Sequence, residues 1–147
     1  MLDNVTHRGV HADGVNLMYL LNNGVIFTGK RSLAMVYANT LFTKGTDQAI
    51  IRFNEFKTDT AHYFMDEREL NVLGLTLLYD GHQVEAVEAL KLNTILYPWS
   101  WNVYDSYAEA LLLAGKKQEA IATYQQSIKL NPGNDGGKRA LQKIEGK

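Results

Sequence analysis

The side chains able to do chemistry are few in this chain, and most of them are far apart. His7 and His11 stand four residues apart, a spacing at which two imidazoles on one helix could share a metal. Gly9 lies between them and no third ligand is placed nearby, so a flexible N-terminal segment is the simpler reading. His62 and His82 fall near turns and are expected to be solvated. Asp105 and Glu109 are also four apart and share one helical face, where they could pair with a Lys or Arg of an extended peptide; the same spacing suits a solvated acidic face. Trp99 and Trp101 flank a turn just after Pro98, and Trp is enriched at interface hot spots. The Gly-rich stretch 133–137 has no strand before it and no Lys-Ser/Thr pair, so it is not a phosphate loop. No Gly-x-Ser-x-Gly elbow occurs. With no cysteine, thiolate catalysis, disulfides and thiolate-held metals are excluded.

Composition narrows the field further. The 147 residues suffice for one domain, and 46% hydrophobic with 21% charged residues is ordinary for a soluble globular protein. A net charge of −1 provides no basic field to hold nucleic acid or an anionic membrane. No run approaches the roughly 18 apolar residues of a membrane span. The start, Met1 to Arg8, does not resemble a secretion signal. The expected location is therefore cytoplasmic, or periplasmic if the chain is a fragment of a larger exported protein. No cofactor is expected.

What positions these side chains is a repeat. Leu70, Leu73, Gly74, Leu77, Gly81, Ala86, Val87, Leu90, Leu96 and Pro98 recur thirty-four residues later as Tyr104, Tyr107, Ala108, Leu111, Gly115, Ala120, Ile121, Tyr124, Leu130 and Pro132. That period and that order of large, small, Gly and Pro positions resemble the tetratricopeptide helical hairpin. Asp66 is a candidate N-cap, with Glu69 completing a capping box, and Gly81 suits a left-handed C-terminal cap. The second helix runs from about Gln83 to Tyr97. In the next repeat Ser100 or Asn102 caps a first helix with Tyr104, Tyr107, Ala108 and Leu111 as its stripe, and the partner helix spans Lys117–Leu130. Gly74, Ala86, Ala108 and Ala120 are the positions where helices close up.

Upstream, Tyr37, Ala38, Leu41 and Gly45 precede their counterparts by thirty-six residues, and Ala49 and Phe53 by thirty-seven. The slip predicts a divergent hairpin over 32–57 with a shortened turn at Gly45-Thr46-Asp47, and an extra connection around 58–65. The expected fold class is all-α: an α-solenoid with a segment over 1–30 packed on the array, a divergent hairpin over 31–66, repeats over 67–100 and 101–134, and a capping helix over 135–147. In the cap, Ala140, Leu141 and Ile144 face inward, and Gly136-Gly137 makes a loose start. Val15–Leu21 is read as a short helix and Val25 to Phe27 as an extended or packed segment.

Within that frame, 66–74, 86–93 and 102–110 (Asp66-Glu67-Arg68-Glu69-Leu70 and Asn102-Val103-Tyr104-Asp105-Ser106 among them) resemble the tetratricopeptide tail behind β-lactamase-like serine hydrolase domains of bacteria. The resemblance covers roughly Gly45 to Ile144 and implies an all-α tail, not the hydrolase activity. Trp99 and Trp101 depart from its pattern. Ser-x-x-Lys is absent, and Tyr37-Ala38-Asn39, which echoes a Tyr-x-Asn element of such enzymes, sits in a helical stripe and reads as core.

The expected function is non-catalytic protein–protein interaction, as scaffold or adaptor. First helices line the concave groove of such arrays, which puts Asn71, Leu75, Leu78 and Tyr79 of one hairpin, and Asn102, Asp105, Glu109 and Leu112 of the next, on or near it. The expected partner is a protein or peptide, with a basic segment as the candidate, and Trp99 and Trp101 are the candidates for a homodimer contact. Two alternatives stand: a detached accessory domain of a hydrolase-type protein with only a packing role, and a small-molecule-binding domain with a pocket lined by Phe27, Tyr37 or Phe53.

Overall fold

A computed structural model describes residues 30–146. The expectations for His7, His11, Val15–Leu21, Phe27 and the N-terminal cover lie outside the described residues. The described chain is an all-α solenoid of consecutive hairpins with one short sheet. Helix α1 (Leu33–Lys44) and α2 (Thr46–Phe56) form the first hairpin, α3 (Glu67–Tyr79) and α4 (Gln83–Leu96) the second, α5 (Trp101–Leu113) and α6 (Lys117–Leu130) the third; α7 (Asp135–Glu145) ends the array. Each helix packs on its hairpin partner, and α1, α3 and α5 also contact one another in sequence, so the first helices form a continuous layer.

The turns of the two regular repeats are built alike. The amide of Gly81 donates to Leu78 O at 3.2 Å and that of His82 to Leu77 O at 2.8 Å; Gly115 donates to Leu112 O at 3.0 Å and Lys116 to Leu111 O at 2.8 Å. This paired closure requires a left-handed residue after the helix, and Gly81 and Gly115 supply it at φ 91° and 78°. The first hairpin turns differently. Gly45 alone separates α1 from α2, ending one helix and starting the other. The longer connection after α2 returns to the start of α1: strand β1 (Arg31–Ser32) pairs in parallel with β2 (Tyr63–Phe64), Arg31 opposite Tyr63. Two-residue strands carry no periodicity, and the sequence gives no sign of them.

The core runs through all three hairpins. Leu33, Tyr37 and Leu41 of α1 join Phe53 of α2, Leu70, Leu73 and Leu77 of α3, and Leu90 of α4. At the closest approach, a Cβ on Gly74 would stand 2.3 Å from Leu90 Cγ. Leu78 is buried, which removes it from the groove where the repeat pattern puts it. In α5 the buried set is Val103, Ser106, Ala108, Ala110 and Leu111, wider than the expected stripe; Tyr104 and Tyr107 are half-buried. A helix held between a hairpin partner and neighbouring first helices buries more than one face.

Several terminal details differ from expectation. Asp66 caps α3 by accepting from the Arg68 amide at 2.8 Å, but Glu69 closes no capping box; its Oε2 accepts from Ser32 Oγ at 2.5 Å. Ser100 is the N-cap residue of α5, yet its hydroxyl donates to Glu67 Oε1 at 2.7 Å. His82 is half-buried, its ring edge-on to Phe42 with centroids 5.7 Å apart. The start of α7 is not loose. Gly137 is buried, and its amide donates to the capping Asn134 Oδ1 at 2.9 Å.

Candidate functional site

The layer of first helices is held together by polar contacts at both ends of the candidate groove. Asn93 and Ser127 are equivalent positions of the second helices, and both are buried with no measurable exposure. Asn93 Nδ2 donates to Glu67 O at 3.0 Å and Ser127 Oγ to Trp101 O at 2.9 Å, so each ties its helix to the first residue of its hairpin partner. These carbonyls already accept helical bonds on one lone pair and use the second here. The N-cap residues link neighbouring first helices: Ser32 to Glu69, Ser100 to Glu67, and Asn134 to Asp105, whose Oδ1 accepts from Asn134 Nδ2 at 2.6 Å. Sequence reasoning missed this set. Its available signal was the recurrence, at the repeat period, of short polar side chains inside α4 and α6.

The candidate groove residues occupy different settings. Tyr79 is two-thirds exposed at the end of α3 and donates its hydroxyl to Glu109 Oε1 of α5 at 2.5 Å. That bond to a carboxylate, followed by partial burial, raises the Tyr79 pKa above its usual value. Leu75 and Leu112 are half-buried and pack against the core. Asn71 and Asn102 are half-buried, and Asn71 Oδ1 is shielded from solvent with no partner among the described residues. Asp105 points toward α6 and α7, where Ser127 Oγ approaches at 3.4 Å beside the Asn134 bond. The two carboxylates of the i, i+4 pair therefore each have an intramolecular donor. Tyr124 lies near both; burial first, then Asp105, Glu109 and Tyr79, push its phenol well above the ordinary range.

Trp99 is exposed at 69% and Trp101 at 38%, with the Trp99 ring edge-on to Tyr97 at 5.9 Å. Tyr37 and Phe53 are both core residues whose rings meet edge-to-face at 6.2 Å. Burial raises the Tyr37 phenol far above its usual value, and its oxygen has no hydrogen-bond partner among the described residues. His62 sits in the connection after α2, with Nδ1 2.9 Å from Asp59 Oδ1. Among the described residues no three metal-ligating side chains converge, and no helix is long and apolar enough to cross a membrane.

Comparison with known proteins agrees with this architecture. The tetratricopeptide repeat family model matches residues 101–134, which run from the first residue of α5 to the cap of α7. The match concerns the repeat and does not extend to a hydrolase. No curated protein matches the chain. The class defined by fold and repeat is a tetratricopeptide-like α-solenoid, an architecture whose stacked hairpins commonly present extended binding surfaces to other proteins.

Proposed function

We propose that this solenoid is a non-catalytic adaptor that binds a segment of a partner protein along the layer of first helices. The observation that carries the reading is the bridge from Tyr79 to Glu109 across α3 and α5. It places an exposed aromatic ring and a carboxylate side by side, flanked by the half-buried Leu75 and Leu112. An aromatic anchor beside apolar side chains and one charge is the composition of a binding hot spot. A carboxylate bonded to one hydroxyl keeps further acceptor positions, so Glu109 can take a Lys or Arg of the partner. Asp105, held by Asn134, acts instead as a support for the repeat junction.

The test is affinity capture from the native host, comparing the protein with its Tyr79→Ala/Glu109→Lys variant. The expected result is loss of specific partners at unchanged helicity by circular dichroism. An identical set of captured partners would falsify the groove reading.

The exposure of Trp99 favours a second reading for the opposite corner, in which Trp99 and Trp101 bury against a second copy of the chain. Sedimentation of Trp99→Ala/Trp101→Ala against the parent decides it. A lower apparent mass supports the contact, and a monomeric parent removes it.

A further inference from the structure

The first hairpin carries a second surface with the opposite charge. Residues of α1, α2 and the two strands line an open cleft of about 420 Å³. Three cations line it, Arg31, Lys44 and Arg52, against one carboxylate, Glu55, in a chain whose net charge is −1. One wall is layered. The Arg52 guanidinium lies 4.7 Å above the Phe56 ring while its Nη1 pairs with Glu55 at 3.2 Å, and Phe56 stacks on Tyr63 at 4.7 Å. The parallel pairing of β1 with β2 sets Arg31 opposite Tyr63 and so fixes that cation at the cleft's edge.

Arg31 and Lys44 have no acidic partner among the described residues. Arg31 stands two residues before α1 and Lys44 is its last residue, thirteen positions apart, which at about 1.5 Å per residue is roughly 20 Å. An extended chain covers that distance in about six residues. Between the two cations the cleft offers Val36 and the exposed Ile51 as apolar contacts, and the amides of Asn39 and Gln48 as partners for a peptide backbone. The cations are too few and too local for a nucleic acid. Residues 1–29 carry Asp3 and Asp13, ten positions apart, against Arg8, and so offer no acidic cluster.

We propose that the cleft of α1 and α2 binds an acidic peptide segment of another protein, about six residues long, with carboxylates near both ends and apolar side chains between them. The cleft shares no residue with the Tyr79 and Glu109 site on α3 and α5, so either can fail without the other.

Fluorescence anisotropy on the full chain tests this with a labelled hexapeptide, Asp-Glu-Leu-Ile-Glu-Asp, and a companion in which Lys replaces every acid. The acidic probe binds saturably, and added salt weakens it. Arg31→Glu with Lys44→Glu weakens it about tenfold or more at unchanged circular dichroism. Lys117→Glu with Lys129→Glu, two exposed cations of α6, leaves it unchanged. The proposal is overturned by no saturable binding of the acidic probe, by equal binding of the basic probe, or by equal loss in the α6 variant. Cross-links from Lys44 to residues 1–29 in a chain that binds no probe would make the occupant the chain's own segment. Self-association lost with Arg31→Glu/Lys44→Glu in such a chain would make it a second copy; both overturn the proposal.

Discussion

Gly74 lies against Leu90 in the first regular repeat, and thirty-four residues on the equivalent positions hold Ala108 and Tyr124. All four are buried. The small residue is thus not interchangeable between the repeats, because its size is set by the shape opposite. A branched Leu90 leaves no room for a Cβ, whereas a flat ring can lie beside a methyl group. The period specifies that two helices close up at this point, and the local pair decides how closely.

Breaking that pairing should give the largest effect. Leu90→Ala should cost roughly 2–5 kcal/mol through the cavity it leaves. Gly74→Ala should cost roughly 1–3 kcal/mol, because Leu90 is sealed in the core and must shift to admit the methyl group. The double variant should be more stable than the two costs added, by about 0.5–3 kcal/mol, since the added methyl group enters the space Leu90 vacates. In the second repeat Ala108→Gly should cost only about 0.5–1 kcal/mol plus a small cavity term. Urea denaturation of the four variants measures all of these, and an additive double variant would show that Gly74 and Leu90 are not coupled.

The next contrast concerns the buried donors. Asn93→Ala leaves the Glu67 carbonyl without its side-chain donor and removes a larger group, for an expected cost of about 1–3 kcal/mol. Ser127→Ala removes a smaller group from the same role at Trp101 and is expected to cost about 0.5–1.5 kcal/mol. If Ser127→Ala proves the more damaging, the network through Asn134 and Asp105 carries more of the junction than the carbonyl bond does.

The legibility of the chain follows the same division. The apolar positions, the Gly turns and the Pro stops were readable because each is a steric requirement repeated at a fixed interval. Helix Lys117–Leu130 has the bounds expected of it, and the single-residue turn at Gly45 accounts for the slip in the upstream spacing. What was not readable depends on contacts between elements. Glu69 has the sequence position of a capping-box residue, but a hydroxyl from α1's cap reaches it first. Asp105 has the position of a groove residue, but Asn134 draws it toward the next junction. The cleft of α1 and α2 draws on four separate elements, and no spacing along the chain announces it.

Glycine at the last junction offers a smaller and two-signed test. A Cβ on Gly137 would stand 2.6 Å from Asn134 Nδ2 and 2.8 Å from Asp105 Oδ1, so Gly137→Ala should break the bond between them and cost about 1–2 kcal/mol. On neighbouring Gly136 a Cβ meets only Asn134 Oδ1, at 3.5 Å, an ordinary contact. Gly136→Ala should stabilise by about 0.4–1 kcal/mol by restricting the unfolded chain. Thermal melts of the two variants should move in opposite directions. A common direction would mean that α7 is not positioned by the Asn134 cap.

The smallest effect is a dependence on pH, and it again sets one repeat against the other. Position 69 holds a carboxylate, while its counterpart is the fully buried Val103. Burial raises the Glu69 pKa above the usual 4.5, opposed in part by the hydroxyl of Ser32. The folded state therefore holds the proton more tightly than the unfolded chain. That contribution is fully present below about pH 4.5 and is lost as the pH rises through the folded value. Asp66 works in the other sense: its bond to Arg68 lowers its pKa, so its contribution is present above the usual 3.8 and is lost as the pH falls below it. Glu69→Gln retains an acceptor for Ser32 and removes only the Glu69 titration. Its stability relative to the parent should rise between acid and neutral pH and level off once the parent is ionised, whereas Glu69→Val, which copies the second repeat, should show the same pH trend displaced downward by the orphaned Ser32 hydroxyl. Denaturation midpoints across that range measure both curves. A gap between Glu69→Gln and the parent that does not change with pH would mean that the carboxylate is solvated in the folded state, and that the first repeat bears no buried charge where the second bears Val103.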